Sequence, residues 1–217
     1  MGAPWKIEHT SGDTASFHAR ADFDGRMLLF HEVAAPTLVL GSSQGAGEFD
    51  RRVTDALGIE VVSRRSGGGA VLALPGECVW LDLVVPAGDP LWNDDVSVAM
   101  AWVGECWRAA LSDLGMATTV HAGALEAGAW GRRVCFASRG AGEVFQGQAK
   151  VVGVSQRRNR SWARFQTMCH LRWRPEVMAA VMSTPRPAPA DLAAVVSTVG
   201  AERRAVHDAL LAQLALR

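Results

Sequence analysis

The tract Arg64-Arg65-Ser66-Gly67-Gly68-Gly69 concentrates the residue types that hold an anion. Consecutive glycines lack Cβ, so the backbone can take positive φ and come close to a ligand. Successive amide N–H groups in such a turn converge on negative charge. Arg64 and Arg65 add planar forks that match carboxylate or phosphate oxygens. The tract reads as a backbone cradle for an anionic group; the other reading is a glycine-rich hairpin with solvated arginines. Two familiar glycine devices are excluded. No Gly-Lys-Ser/Thr follows, as a P-loop needs, and the residues after Gly69 continue as strand instead of opening a helix.

The elements around the tract must position it. Strands are expected on both sides, at 59–63 before it and at 70–74 and 78–85 after it. Two short apolar strands flank Pro36 within 26–41, and a short helix over 47–58 is closed by Gly58. The strongest helix signal follows Asp94-Asp95. Ala99, Trp102, Val103, Cys106, Ala110, Leu111 and Leu114 recur at three- and four-residue steps, and Gly115 ends the run. Further strands are expected at 117–123, 132–138, 143–147, 149–158 and 164–173. A short helix follows at 174–182, then a Pro-rich linker at 183–190 and a terminal amphipathic helix. Runs of strands with few helices predict an α+β fold with helices packed on a sheet, not a doubly wound parallel sheet.

Composition narrows the function classes. The 217 residues carry 22 basic and 22 acidic side chains, so no one-signed face for nucleic acid or for a membrane surface is expected. No apolar run approaches a membrane span, and no secretory leader is legible, which predicts a cytoplasmic protein. Cys78, Cys106, Cys135 and Cys169 are widely spaced, so neither a metal site nor a disulfide framework is expected. The six histidines form no spaced pair; His121 and His170 read as structural.

Three stretches, in order and spacing, carry a resemblance to a known family. They are Leu38–Gln44 (LVLGSSQ), Arg64–Val71 (RRSGGGAV), and Gly147–Arg158 (GQAKVVGVSQRR) followed by FQTMCHL at 165–171. Together they resemble the lipoate–protein ligase family, which shares a superfamily with octanoyltransferases and biotin–protein ligases. The resemblance spans roughly residues 26–182 and implies a class II synthetase-like, biotin-ligase-like domain, a mixed β-sheet flanked by helices. It places a catalytic domain at 1–182, with the linker and C-terminal helix of 183–217 packed on it.

The resemblance also implies an activity: attachment of lipoate or octanoate to one lysine of a carrier domain. Such carriers belong to 2-oxoacid dehydrogenase complexes or the glycine cleavage system. ATP and Mg²⁺ would supply an acyl-adenylate, and an accessory adenylation domain or chain is an expected partner. Carried over residue by residue, Arg64, Arg65, Gly67, Gly68, Gly69, Ala70 and Val71 would line the acyl and adenylate pocket. Gln44 would lie near the acyl site, Lys150 would contact the acyl-adenylate, and Gly153 completes the Lys-x-x-Gly pattern. A fixed ammonium stabilises charge developing on the acyl oxygen and the departing AMP. As a pocket residue Lys150 would add little to the core, so Lys150→Ala is expected to remove transfer with the melting temperature within a few degrees.

The chain also departs from the family pattern. Ala73 and Leu74 stand where a His-Asp pair is usual, and Gly142-Glu143 where ligases have Asn-Asp. Cys135-Phe136 resembles the cysteine-dependent octanoyltransferases and amidotransferases, which carry the acyl group as a thioester. Arg132, Arg133 and Lys150 could favour a thiolate there. The alternatives are thus an ATP-independent transferase using Cys135, or a homologue that binds lipoate or adenylate without turnover. Arg157, Arg158, Arg160, Arg164 and Lys150 could form a docking face for an acidic carrier.

Overall fold

The computed structural model describes residues 3–217. Seven strands form one mixed sheet in the order β1-β2-β6-β10-β9-β8-β7: β1 (Lys6–Gly12), β2 (Met27–Val33), β6 (Cys78–Pro86), β10 (Trp162–His170), β9 (Ala149–Arg158), β8 (Val144–Gln146) and β7 (Thr119–Val120). Only the β1–β2 pairing is parallel; the rest are antiparallel. A second sheet, β4-β3-β5, contains Glu60–Ser63, Thr37–Leu40 and Val71–Ala73.

One face of the large sheet is covered by α3 (Val96–Asp113) and α6 (Arg203–Ala215). Asp95 caps α3 by accepting from the Ser97 and Val98 N–H groups, and Gly115 lies at φ +80° beyond its end. Val103, Trp107, Ala110 and Leu111 pack with Val79, Leu81 and Leu83 of β6, and with Val206, Leu210 and Leu214 of α6. The opposite face carries Trp80, Met168 and Phe17, and meets Val71 and Ala73 of the small sheet. Behind the small sheet lie α4 (Pro175–Val181) and α5 (Pro189–Val195), with Met178, Met182 and Leu192 fully buried. No helix among the described residues is long and apolar enough to cross a membrane.

The α+β layering agrees with the sequence reading, and most strand positions fall where the apolar runs placed them. Three differences have physical causes. The stretch expected as a strand at 132–138 is a 3-10 turn, Cys135–Ala137. Its alternating burial arises because Val134 and Cys135 lie against the glycine tract, where Ala70 N–H donates to Arg133 O and Cys135 N–H to Ala70 O. Strand β1 and α1 (Thr14–Ala19) had no clear periodic signal: β1 is an edge strand with no fully buried residue, and α1 has six residues. The third is α5, which follows the Pro-rich stretch; its short run buries Leu192 alone.

Candidate active site

The glycine tract connects β4 to β5 and crosses over the second face of the large sheet. Its geometry demands glycine at specific points. Gly68 sits at φ +97°, and a Cβ on Gly69 would lie 2.7 Å from the backbone of Val134 and Cys135. Arg64 organises the tract from within: its guanidinium donates to the carbonyls of Gly67 and Gly69 at 2.8 Å and of Val39 at 3.3 Å. The fork expected to face a ligand thus folds its own loop. Arg65 is exposed. Gln44 acts as a turn amide, its Oε1 accepting from Gly41 N–H and its Nε2 donating to Arg133 O.

Cys135 joins the tract to Lys150. Its N–H is held by Ala70, and its carbonyl accepts from Lys150 Nζ at 2.7 Å and from Ser138 Oγ at 2.8 Å. Lys150 is wholly buried and pairs with the buried Glu143 at 2.6 Å. Burial pushes the Glu143 carboxyl up, against the pull of that ammonium. Glu143 also accepts from Gly140 N–H at 2.6 Å. Lys150 lies beside the rings of Phe136 and Phe145, at 5.6 and 5.9 Å. Arg133, by contrast, engages Glu48 and Ser183, and Arg132 is exposed.

Between the sheets a half-open cavity offers about 50 Å³. Cys135, Phe136, Gly153, Trp80, Gln166 and His18 line it, with Arg64 and Val71 of the tract also in the wall. A Cβ on Gly68 would come within 4.0 Å of Cys135 Sγ, so tract and thiol are neighbours. Gly153 lies beside the Phe136 ring, which an added Cβ would touch at 3.4 Å, an ordinary contact. The structure therefore brings together Arg64, Gly68, Gly69, Ala70, Val71, Cys135, Lys150 and Gly153. Gln44 and Arg65 sit at the margin, and Lys150 itself lies behind Cys135 and Phe136.

The five cations do not gather into one docking face. Lys150 and Arg164 point inward, Arg164 onto Asp82, and Arg158 stacks on Trp92 at 4.2 Å. Arg157 differs: its Nη1 is buried without a partner, and burial together with the nearby Arg65 and Arg164 charges lowers its pKa. All four cysteines are free.

Sequence reading missed His18, Trp80, Gln166 and Glu143 as site neighbours. Sheet register brings Trp80 and Gln166 there: Gly153, Met168, Trp80 and His31 align across four strands, and Ser155, Gln166 and Asp82 across three, while His18 arrives on α1 and Glu143 just ahead of β8.

A mixed sheet flanked by helices, a second small sheet and a glycine loop crossing between them define a ligase-like α+β fold class. The chain belongs to the family described as the lipoyl protein ligase A/B catalytic domain, which matches residues 9–205. It is similar to a lipoate-protein ligase A bound with ATP, at 17% identity and TM-score 0.77, over 100% of this chain and 85% of that one. A lipoate protein ligase from T. acidophilum with bound lipoic acid matches at 18% and 0.73, over 100% and 86%. A biotin protein ligase from Aquifex aeolicus matches at 11% and 0.51, over 98% and 68%. At these identities the likeness shows the fold. No curated protein matches the chain.

Proposed function

We propose that this domain transfers a lipoyl or octanoyl group to a carrier-domain lysine, with the acyl chain held in the cavity between the sheets. The observation that carries this is the juxtaposition at Cys135: its side chain lines the cavity while its backbone ties the glycine tract to Lys150. Lys150 fixes that carbonyl without moving, and its charge, balanced by Glu143, remains close to the acyl end.

The placement of Cys135 favours a thioester route. The Cys135 sulfur gives up its proton and attacks the acyl carbon of a donor thioester, forming the Cys135 S–C bond and breaking the donor S–C bond, and the donor sulfur takes that proton and leaves as the thiol. The acceptor amine then attacks that carbon, forming the amide and returning the thiol to Cys135. The likeness to ligases bound with ATP and with lipoic acid favours a second route through an adenylate. There the carboxylate attacks the α-phosphorus of ATP and expels pyrophosphate, and the amine later displaces AMP. Residues that fit a phosphate are Arg157, with its unpartnered Nη1, and the exposed Arg65. Mg²⁺ would arrive with the nucleotide. The partner implied in both routes is a lipoyl carrier domain; one neighbouring structure pairs a bipartite lipoate protein ligase with its E2 lipoyl domain.

The test incubates the protein with a lipoyl domain and either octanoyl carrier thioester or lipoate, ATP and Mg²⁺, reading intact mass. Acylation of the lipoyl domain supports the proposal, and an acyl adduct on Cys135 selects the first route. A Cys135→Ala variant that transfers at full rate removes that route. No adduct on either protein with any donor overturns the proposal.

A further inference from the structure

His18 of α1 lines the same cavity between the sheets as Cys135. It is 7% exposed, and its Nδ1 lies 3.1 Å from the Gln166 amide nitrogen. An amide N–H donating to Nδ1 leaves the ring proton on Nε2. That Nε2 is buried and has no partner. Burial drops the imidazole pKa to about 4, so the ring is neutral near pH 7 and Nε2–H is an unanswered donor. Buried donors are rarely left unpaired, because each loses its bond to water with nothing in return.

The ring is held in place. Asp13 caps α1 through the Ala15 and Ser16 N–H groups. At the other end Arg164, anchored on the buried Asp82, donates to Phe17 O at 2.6 Å and Arg20 O at 3.1 Å. His18 packs on the Trp80 ring at 4.9 Å. From Gly153 on β9 to Trp80 on β6 the floor crosses two strand spacings, about 10 Å. A medium-length acyl chain attached at Cys135 would have the length to cross that floor toward His18.

We infer that His18 is a specificity residue that selects acyl chains bearing a hydrogen-bond acceptor, oxygen or ring sulfur, near the tail, over plain alkyl chains. This rests on the acyl-transfer reading above. The donor recognises the tail, while the Trp80 and Met168 side chains enclose the methylenes.

The test measures binding of octanoate, lipoate and ω-hydroxyoctanoate to the full chain by calorimetry, for the native protein, His18→Phe and His18→Asn. The native protein is expected to prefer the two functionalised acids about tenfold, the value of one buried hydrogen bond. His18→Phe should bring that ratio near one, and His18→Asn, which keeps a donor, should restore part of it. Equal native binding of all three acids overturns the inference even if no variant folds, as does a ratio unchanged in His18→Phe. Binding of no acid, with no transfer from any thioester donor, overturns the acyl-transfer reading and this inference with it.

Discussion

The Lys150 ammonium donates to the Cys135 carbonyl at 2.7 Å, so the buried lysine meets the glycine tract through a backbone it holds in place. This changes what removing the lysine should do. Lys150 is wholly buried and compensates Glu143. Lys150→Ala leaves a buried carboxyl without its counter-charge, a change that costs about 3–5 kcal/mol and lowers the melting temperature by roughly 10 °C. The expectation of a melting temperature within a few degrees, drawn from a pocket lysine that adds little to the core, does not suit this burial. Pairing Lys150→Met with Glu143→Leu should recover much of the loss. Calorimetric melting of the three variants checks this; a single variant within a degree or two of the native protein would count against the ion pair.

The glycines of the tract should not be equivalent. An alanine at Gly69 pushes a methyl to within 2.7 Å of the Val134 and Cys135 backbone, whereas at Gly67 nothing lies within 4 Å. Gly69→Ala is expected to cost about 1–3 kcal/mol and to displace Cys135, and Gly67→Ala to stay within about 0.5 kcal/mol. Denaturant midpoints of the two variants decide it; equal costs contradict the contact.

Arg64→Lys should loosen the tract although the charge is kept. A guanidinium fork reaches the Gly67, Gly69 and Val39 carbonyls together, and an ammonium is a single point donor. Faster amide exchange at 66–71 is the expected result. Native protection in the lysine variant would rule out the clamp.

Stability should fall on mild acidification. Burial holds His18 and His170 at about 4, against 6.5 for the free side chain, and burial with the Arg203 charge does the same for the half-buried His207. Between pH 6.5 and 4 the unfolded chain binds protons that the folded chain refuses, so stability is full above the unfolded value and drains as pH falls through this window. His18 and His170 each account for roughly 3 kcal/mol at the acid end. Melting curves from pH 7 to 4 test the sign. His18→Phe should flatten the slope; a flat native profile contradicts the buried neutral rings.

What the amino-acid order determined is whatever depends on near neighbours. The α3 stripe, its Asp95 cap and its Gly115 stop are set within a few residues by helical period and φ preference. The apolar runs of β9 and β10 and the positive φ of Gly68 are equally local, and the three motifs pointed to Lys150 and the tract, whereas the demand for glycine at 69 comes from the distant Val134–Cys135 backbone. The tertiary structure alone decided which polar groups meet. His18 and Gln166 are 148 positions apart, Arg164 reaches Phe17 across 147, and Glu143 finds Lys150 only after β8 folds back on β9. Whether an arginine turns to its own loop or to a ligand, and whether a lysine is solvated or sealed, depends on burial and on partners brought by sheet pairing. Neither is written in any short window of sequence.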